Sequence, residues 1–197
     1  MQEIEVSSRI YREADSLFLT AQVVASHELR ETEIGPVPFV VLPKRLVTVH
    51  YHHPGSMKFF ADWAARHDTP LASGLSVLLA LMEAVVDRLA DILEGEARRH
   101  DALSKAIFAA HRPQGRAETL PVVLQRIGRA EDLNGKVNES LGTLLRLVGY
   151  LVAASDPLDN PVLGPSEKAS AHVLLEDIRS LREVATVQAD KVRFLLD

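Results

Sequence analysis

Apolar residues from position 73 onward recur at alternating steps of four and three, which is the spacing of one face of an α-helix. This pattern predicts three long helices. The first covers about residues 73–110 and would be roughly 55 Å long at a rise of 1.5 Å per residue. It breaks at Pro113. A second helix starts near Pro121 and runs to about Ala154, and a third starts at Ser166.

We call the apolar face of each helix its seam. The first seam contains Leu75, Leu79, Met82, Val86, Leu89 and Leu93, is interrupted by Glu96 and His100, and resumes at Leu103 and Ile107. The second contains Val123, Ile127, Ala130, Asn134, Val137, Leu141, Leu144, Val148 and Leu151. The third contains Leu174, Ile178, Leu181, Ala185, Gln188, Val192 and Leu195. It still runs at Asp197 without the Gly, Asn or Pro that usually ends a helix, so we expect a piece of a longer protein.

The first third of the chain is rich in β-forming residues. Residues 17–25, 39–42 and 46–51 are predicted strands, with a turn at residues 43–44 between the last two. Residues 28–38 are polar and are expected to form a surface loop, because this segment holds Gly35, Pro36 and Pro38.

A short helix is predicted at about residues 57–67, where three aromatic residues fall on one side at helical spacing. These residues are Phe59, Phe60 and Trp63. We expect this side of the helix to pack on the sheet.

The predicted fold is α+β: a small antiparallel or mixed sheet with flanking helices, followed by three long helices. Residues 1–72 form the sheet-containing part in this interpretation. Residues 73–165 form a long helical hairpin, and residues 166–197 form a stalk helix.

Composition excludes several classes of function. The net charge of −5 and pI near 5.9 argue against a nucleic-acid partner, which needs an excess of Lys and Arg. The absence of cysteine excludes disulfides, thiolate zinc sites and cysteine nucleophiles, and fits a reducing compartment. The phosphate-binding, metalloprotease and nucleophile-elbow motifs are missing, so we expect no enzyme.

Four segments in the right order resemble the cytosolic region of the CorA family of magnesium and cobalt transporters. They are residues 1–11, 37–51, 79–87 and 192–197. The resemblance implies the CorA soluble-domain fold, with a stalk helix entering the membrane as the first pore-lining span. It also implies a homopentamer in the cell (inner) membrane, with this chain on its cytoplasmic side.

The function implied is ion sensing in a channel that carries Mg²⁺ or Co²⁺, with the ion as both cargo and regulator and with no organic cofactor. Two alternatives remain open at this point. One is a Zn²⁺ transporter of the ZntB branch of the same superfamily, and the other is a soluble coiled-coil scaffold without a metal role.

Carboxylates on two helices are candidate ligands for a hard cation such as Mg²⁺. On the third helix, Glu176 and Asp177 fall off the seam, and we expect them to be available to a neighbouring protomer. Many family members have a sensing acid near the position of Val173, so sensing through Glu176 or Asp177 is a substitute for that residue. The competing interpretation is a solvated helix face.

On the first long helix, acidic residues recur at steps of four, four and three and so line one face. They are Glu83, Asp87, Asp91 and Glu94. A bound cation would relieve their mutual repulsion, and an ordinary solvated face is again the competing interpretation. By its position in the resemblance, Asp197 would lie at the membrane entrance, where a ring of carboxylates concentrates cations.

Three further features have a structural and a functional interpretation. His50 and His52 alternate on a strand beside His53, which suits zinc, but surface histidines at a strand end are favoured. His100 with Asp101 is interpreted as an exposed helix pair. Glycine recurs every seventh residue in the second long helix, which indicates close helix packing or, alternatively, flexibility for gating. The four glycines are Gly128, Gly135, Gly142 and Gly149.

Overall fold

The structure, a computed structural model, describes residues 10–25, 32–66, 71–109, 120–155 and 162–194. Within these ranges the strands are β1 (Tyr11–Glu13), β2 (Ser16–Ala25), β3 (Glu33–Leu42) and β4 (Arg45–Thr48). The helices are α1 (Gly55–Ala64), α2 (Gly74–Ala109), α3 (Leu120–Ala153) and α4 (Pro165–Phe194). The predicted α+β fold is confirmed.

The four strands form one antiparallel sheet in the order β1-β2-β3-β4. Because β1 pairs only with the first residues of β2, the outer edge of β2 beyond Phe18 needs other partners. Helix α3 supplies them. The backbone N–H of Gln22 donates to the Thr143 hydroxyl at 2.9 Å, and the Ser140 hydroxyl donates to the Gln22 carbonyl at 2.7 Å. The exposed edge of the sheet is thereby closed by a helix.

The expected loop at residues 28–38 is wrong in its second half, since β3 already begins at Glu33. Pro36 pairs with Gln22 and Pro38 with Thr20. The backbone groups of Gln22 bond to α3, so its pair with Pro36 exchanges no backbone hydrogen bond. The proline nitrogens therefore point away from β2, and the strand loses no bond to β2.

Helices α2 and α4 run parallel, with α3 antiparallel to both. The starts of α2 and α4 are joined by Glu167, which accepts a hydrogen bond from the Ser73 hydroxyl at 2.7 Å and from the Gly164 N–H at 3.0 Å. Near the other end, the Gln188 amide donates to the Leu93 carbonyl at 2.9 Å. Helix α3 contacts α4 where the Asn134 amide donates to the Ala185 carbonyl at 2.8 Å.

The three predicted seams are confirmed wherever the structure describes them, because their residues are buried or half-buried. One continuous core joins the inner face of the sheet to α2, α3 and α4. A smaller apolar cluster lies at the far end of the helices and contains Leu103, Ile127, Ala130 and Val192.

Helix α1 packs mainly against α2 and not on the sheet, so that part of the prediction is wrong. Phe60 and Trp63 stack with ring centroids 5.9 Å apart, whereas Phe59 is exposed. Helix α2 starts tightly against the β3–β4 turn, where the Gly74 N–H donates to the Pro43 carbonyl at 3.1 Å.

Candidate cation site

Asp87 of α2 and Asp177 of α4 interact electrostatically near the middle of the two parallel helices. Burial raises the pKa of Asp87, and the neighbouring carboxylates of Asp91 and then Asp177 raise it further. Asp177 of α4 is therefore close enough to Asp87 of α2 to repel its charge. The sequence could not predict this arrangement, because it does not show how the two helices are oriented relative to each other.

Other predicted acids are engaged in local ion pairs along their own helices. Glu94 lies 3.7 Å from Arg98, Asp91 lies 3.8 Å from Arg88, and Glu176 is paired with Arg179. These pairs are exposed, so each contributes at most about 1 kcal/mol and a competing cation can open them at small cost.

Among the described residues, no contact places the two remaining acids of the prediction in a site. Glu83 is exposed on α2, and Asp197 lies outside the described residues. In the part of the chain that is described, no group of three or more His, Asp or Glu side chains is arranged to hold a metal ion. Asp87, Asp91 and Asp177 do not form such a group within the described chain.

Val173 lies on the outer face of α4 and is 63% exposed. It belongs to a second set of positions with steps of four and three, displaced by one residue from the buried seam. We call this set the outer seam of α4: Val173, Asp177, Ser180, Val184, Val187, Lys191 and Phe194, all exposed. The sequence interpretation missed it, although the heptad spacing was there to be found.

Two of the strand-end histidines form hydrogen bonds to backbone carbonyls. The His50 ring bonds through Nδ1 to the His52 carbonyl at 2.7 Å, and the His52 ring bonds through Nε2 to the Val23 carbonyl at 2.8 Å. The His52 ring also lies against Gly35, where a Cβ atom would come within 2.9 Å of Nδ1. His53 is exposed beside them. These contacts support the structural interpretation of the pair.

The interpretation of His100 and Asp101 as an exposed pair is wrong for His100. Asp101 is exposed, but the His100 side chain is only 5% exposed and continues the buried seam together with Glu96. The residues that interrupt the apolar pattern of α2 therefore remain inside, because α3 and α4 cover them.

The glycines of α3 do not mark close packing. A Cβ atom added at Gly128, Gly135, Gly142 or Gly149 would meet no atom within 4 Å. The packing interpretation is therefore wrong for contacts within the described chain. The flexibility interpretation stays a prediction.

No helix within the described ranges carries a stretch both long and apolar enough to cross a membrane. No family model matches the chain. The magnesium transport protein CorA of Haemophilus influenzae is 24% identical over 196 residues, which cover 100% of this chain and 59% of that protein. The chain thus spans about three-fifths of the length of this relative.

Two solved structures have the same fold. The soluble domain of CorA from Methanocaldococcus jannaschii superimposes with a TM-score of 0.81 at 12% identity, covering 100% of this chain and 74% of that one. The ZntB cytoplasmic domain from Vibrio parahaemolyticus superimposes with a TM-score of 0.74 at 11% identity, covering 99% and 72%. The resemblance to the CorA family is confirmed: the chain is similar along its whole length to CorA magnesium transport proteins and has the fold of their soluble domain.

Proposed function

We propose that this chain is the cytosolic, ion-sensing part of a CorA-type transporter that carries Mg²⁺ or Co²⁺ across the cell membrane. The observation that carries the proposal is similarity over the whole chain to proteins named magnesium transport protein CorA. In this proposal the full-length protein is a homopentamer, and membrane spans follow α4.

The outer seam of α4 supports assembly through this helix. Val187 is 55% exposed and Phe194 is 72% exposed, and both fall on a heptad pattern that suits packing against another helix. Contact between copies along this seam would bury these apolar side chains. It would also bring Asp177 of each copy close to its neighbours, because Asp177 lies on the same seam.

The sensing step follows from the charge of this region. Asp91 and Asp177 both repel the charge of Asp87, and a divalent cation would relieve that repulsion. High cation concentration would therefore stabilise the packed stalks and close the pore, whereas cation loss would leave the carboxylates unscreened and loosen the assembly. Binding energy at the cytosolic site is thereby linked to the state of the stalk.

Mg²⁺ uptake by the full-length protein tests the sensing step. We expect Asp177→Asn to weaken the suppression of uptake by high internal Mg²⁺. The matched control is Asp190→Asn, an exposed acid on the same helix that lies 3.5 Å from Arg193 and off the outer seam. Equal suppression in both variants would remove Asp177 from the sensor.

Two further observations test the wider proposal. The reading frame should continue past Asp197 into an apolar span followed by Gly-Met-Asn, and a stop codon soon after Asp197 would end the transporter proposal. In the full-length protein, Val187→Glu should disrupt the pentamer measured by native mass spectrometry. Val122→Glu, at an exposed valine of α3, should leave it intact.

A Zn²⁺ transporter is the second candidate, and the likeness of fold to the ZntB cytoplasmic domain favours it. Competition between Zn²⁺ and Mg²⁺ in the same uptake assay separates the two cargoes. Calorimetry that detects no binding of Mg²⁺, Co²⁺ or Zn²⁺ at millimolar concentration by the assembled protein would instead favour a coiled-coil scaffold.

A further inference from the structure

A broad cleft of about 1340 Å³ lies between α2 and α3, and its lining includes Asp91 and Glu94 of α2. Its rim carries several cationic side chains, among them Arg88, Arg98 and Arg129. Two residues of α2 that line it, Glu96 and His100, are almost fully buried, at 4% and 5% exposed. Neither residue takes part in the cation site described above.

Glu96 and His100 are one helical turn apart and face each other. The Oε2 atom of Glu96 lies 3.9 Å from the Nε2 atom of His100, which is too far for a hydrogen bond. Neither ring nitrogen of His100 has a hydrogen-bond partner among the described residues. Leaving such a buried polar group unpaired costs about 1–3 kcal/mol, so the site favours a ligand that bonds to the ring.

The surroundings of the His100 imidazole favour its neutral form, chiefly through burial. Burial lowers the pKa of His100; Glu96 opposes this effect, and Lys191 of α4 reinforces it. Smaller contributions come from Asp101, which raises the pKa, and from Arg99, which lowers it. On the α3 side of the cleft the charged groups are Arg126, Arg129, Asp132 and Lys136. A neutral imidazole is the form that binds metal ions.

We propose that Glu96 Oε2 and His100 Nε2 form a two-ligand site for a borderline divalent metal of the Zn²⁺ and Co²⁺ class, with water from the cleft as the remaining ligands. Two ligands four residues apart on a helix share one face, as in metalloprotease helices. Tetrahedral zinc with bonds near 2.0–2.1 Å holds its nitrogen and oxygen ligands roughly 3.4 Å apart, so the two atoms need to approach by about 0.5 Å.

The chemical types of the two ligands decide which metal the site prefers. An imidazole beside a carboxylate suits zinc and its neighbours, whereas Mg²⁺ prefers an all-oxygen octahedral shell. This site therefore differs in chemistry from the carboxylates of Asp87, Asp91 and Asp177. It goes beyond the proposed function and does not depend on it.

Arg99 competes with the metal because it is paired with Glu96 on the same helix. The Arg99 side chain is 68% exposed and can turn into the cleft when a cation replaces it. The positively charged side chains nearby also repel a metal ion. Binding should therefore be weaker than at a closed four-ligand zinc site. Removing the charge of Arg99 should accordingly tighten binding.

Titration of this chain with Co²⁺, followed by visible absorption, tests the site, because four-coordinate Co²⁺ absorbs far more strongly than the hexaaquo ion. We expect the wild type to gain a band that Zn²⁺ displaces. His100→Gln and Glu96→Gln should lose it, Arg99→Gln should reach it at several-fold lower Co²⁺, and His172→Gln, at an exposed histidine of α4, should behave as wild type. An unchanged band in His100→Gln, or no band in the wild type, would overturn the proposal.

A second measurement needs no variant and so does not depend on how a substitution affects folding. In the wild-type chain, NMR signals of the His100 ring nitrogens should move on addition of Zn²⁺, with Nε2 affected more than Nδ1. The same titration with Mg²⁺ should leave them in place. If Zn²⁺ moves only the signals of exposed histidines such as His172, the assignment to Glu96 and His100 is wrong.

Discussion

The outward-facing glycines of α3 allow a stability prediction in which the structure gives the sign. Gly135 is exposed in the interior of a 34-residue helix, and a Cβ atom there would touch nothing within 4 Å. Substitution by alanine therefore adds no clash and removes the entropic cost of glycine, about 0.8–1.0 kcal/mol. We expect Gly135→Ala to raise the free energy of unfolding by about that amount.

For a domain of this size, a gain of 1 kcal/mol corresponds to about 2–4 °C in the melting temperature. The assay is urea unfolding followed by circular dichroism, in which the midpoint should rise without a change in the m-value. Gly128 and Gly142 lie one heptad away on either side, about 10 Å along the axis, so the triple alanine variant should gain nearly the sum of the three effects.

Gly74→Ala is the matched control, for which we expect the opposite effect on stability. The added Cβ would overlap the backbone carbonyl oxygens of Leu42 and Arg45, which cannot move without shifting the β3–β4 turn. We expect a loss of about 1–3 kcal/mol. The reasoning is refuted if Gly135→Ala lowers the stability of the dilute, unassembled chain, because that face must then be in contact with other groups. It is equally refuted if both glycines respond alike.

Two further predictions concern charge and capping. At neutral pH, Asp87→Asn should stabilise the chain, because the raised pKa of Asp87 reports that its ionised form is disfavoured in the folded state. The wild type regains this stability as the pH falls through that raised pKa, so the two midpoints should converge in acid; a difference that grows in acid contradicts the sign. Glu167→Ala should cost about 1–2 kcal/mol, since it removes the acceptor for Ser73 and Gly164 that ties the starts of α2 and α4 together. In the same urea assay, Glu183→Ala at an exposed site of α4 should leave the free energy of unfolding nearly unchanged. An equal loss of stability in both variants would show that the hydrogen bonds of Glu167 do not stabilise the fold.

The local periodicity of apolar residues predicted most of the fold. The seams of α2, α3 and α4 are visible in the sequence because a helix repeats every 3.6 residues whatever surrounds it. The strands at β2, β3 and β4 followed from β-branched and apolar runs in the same way. The acidic face of α2 also came from spacing alone, since residues four apart on one helix must share a side.

The errors occur where a residue's surroundings come from distant parts of the chain. Pro36 and Pro38 stand in a strand because their nitrogens point away from β2, a direction that depends on the register of pairing. His100 is buried because α3 and α4 cover it, although its own neighbours in sequence are polar.

The sequence by itself determined which residues share a face of each helix, and hence the three long helices, the small sheet and the resemblance to the CorA family. Only the tertiary structure decided what each face meets. It brought Asp177 of α4 within electrostatic reach of Asp87 of α2, left open space beside the α3 glycines and exposed the outer seam of α4. The physical reason is that periodicity is a property of one segment, whereas burial, repulsion and packing are properties of pairs of segments.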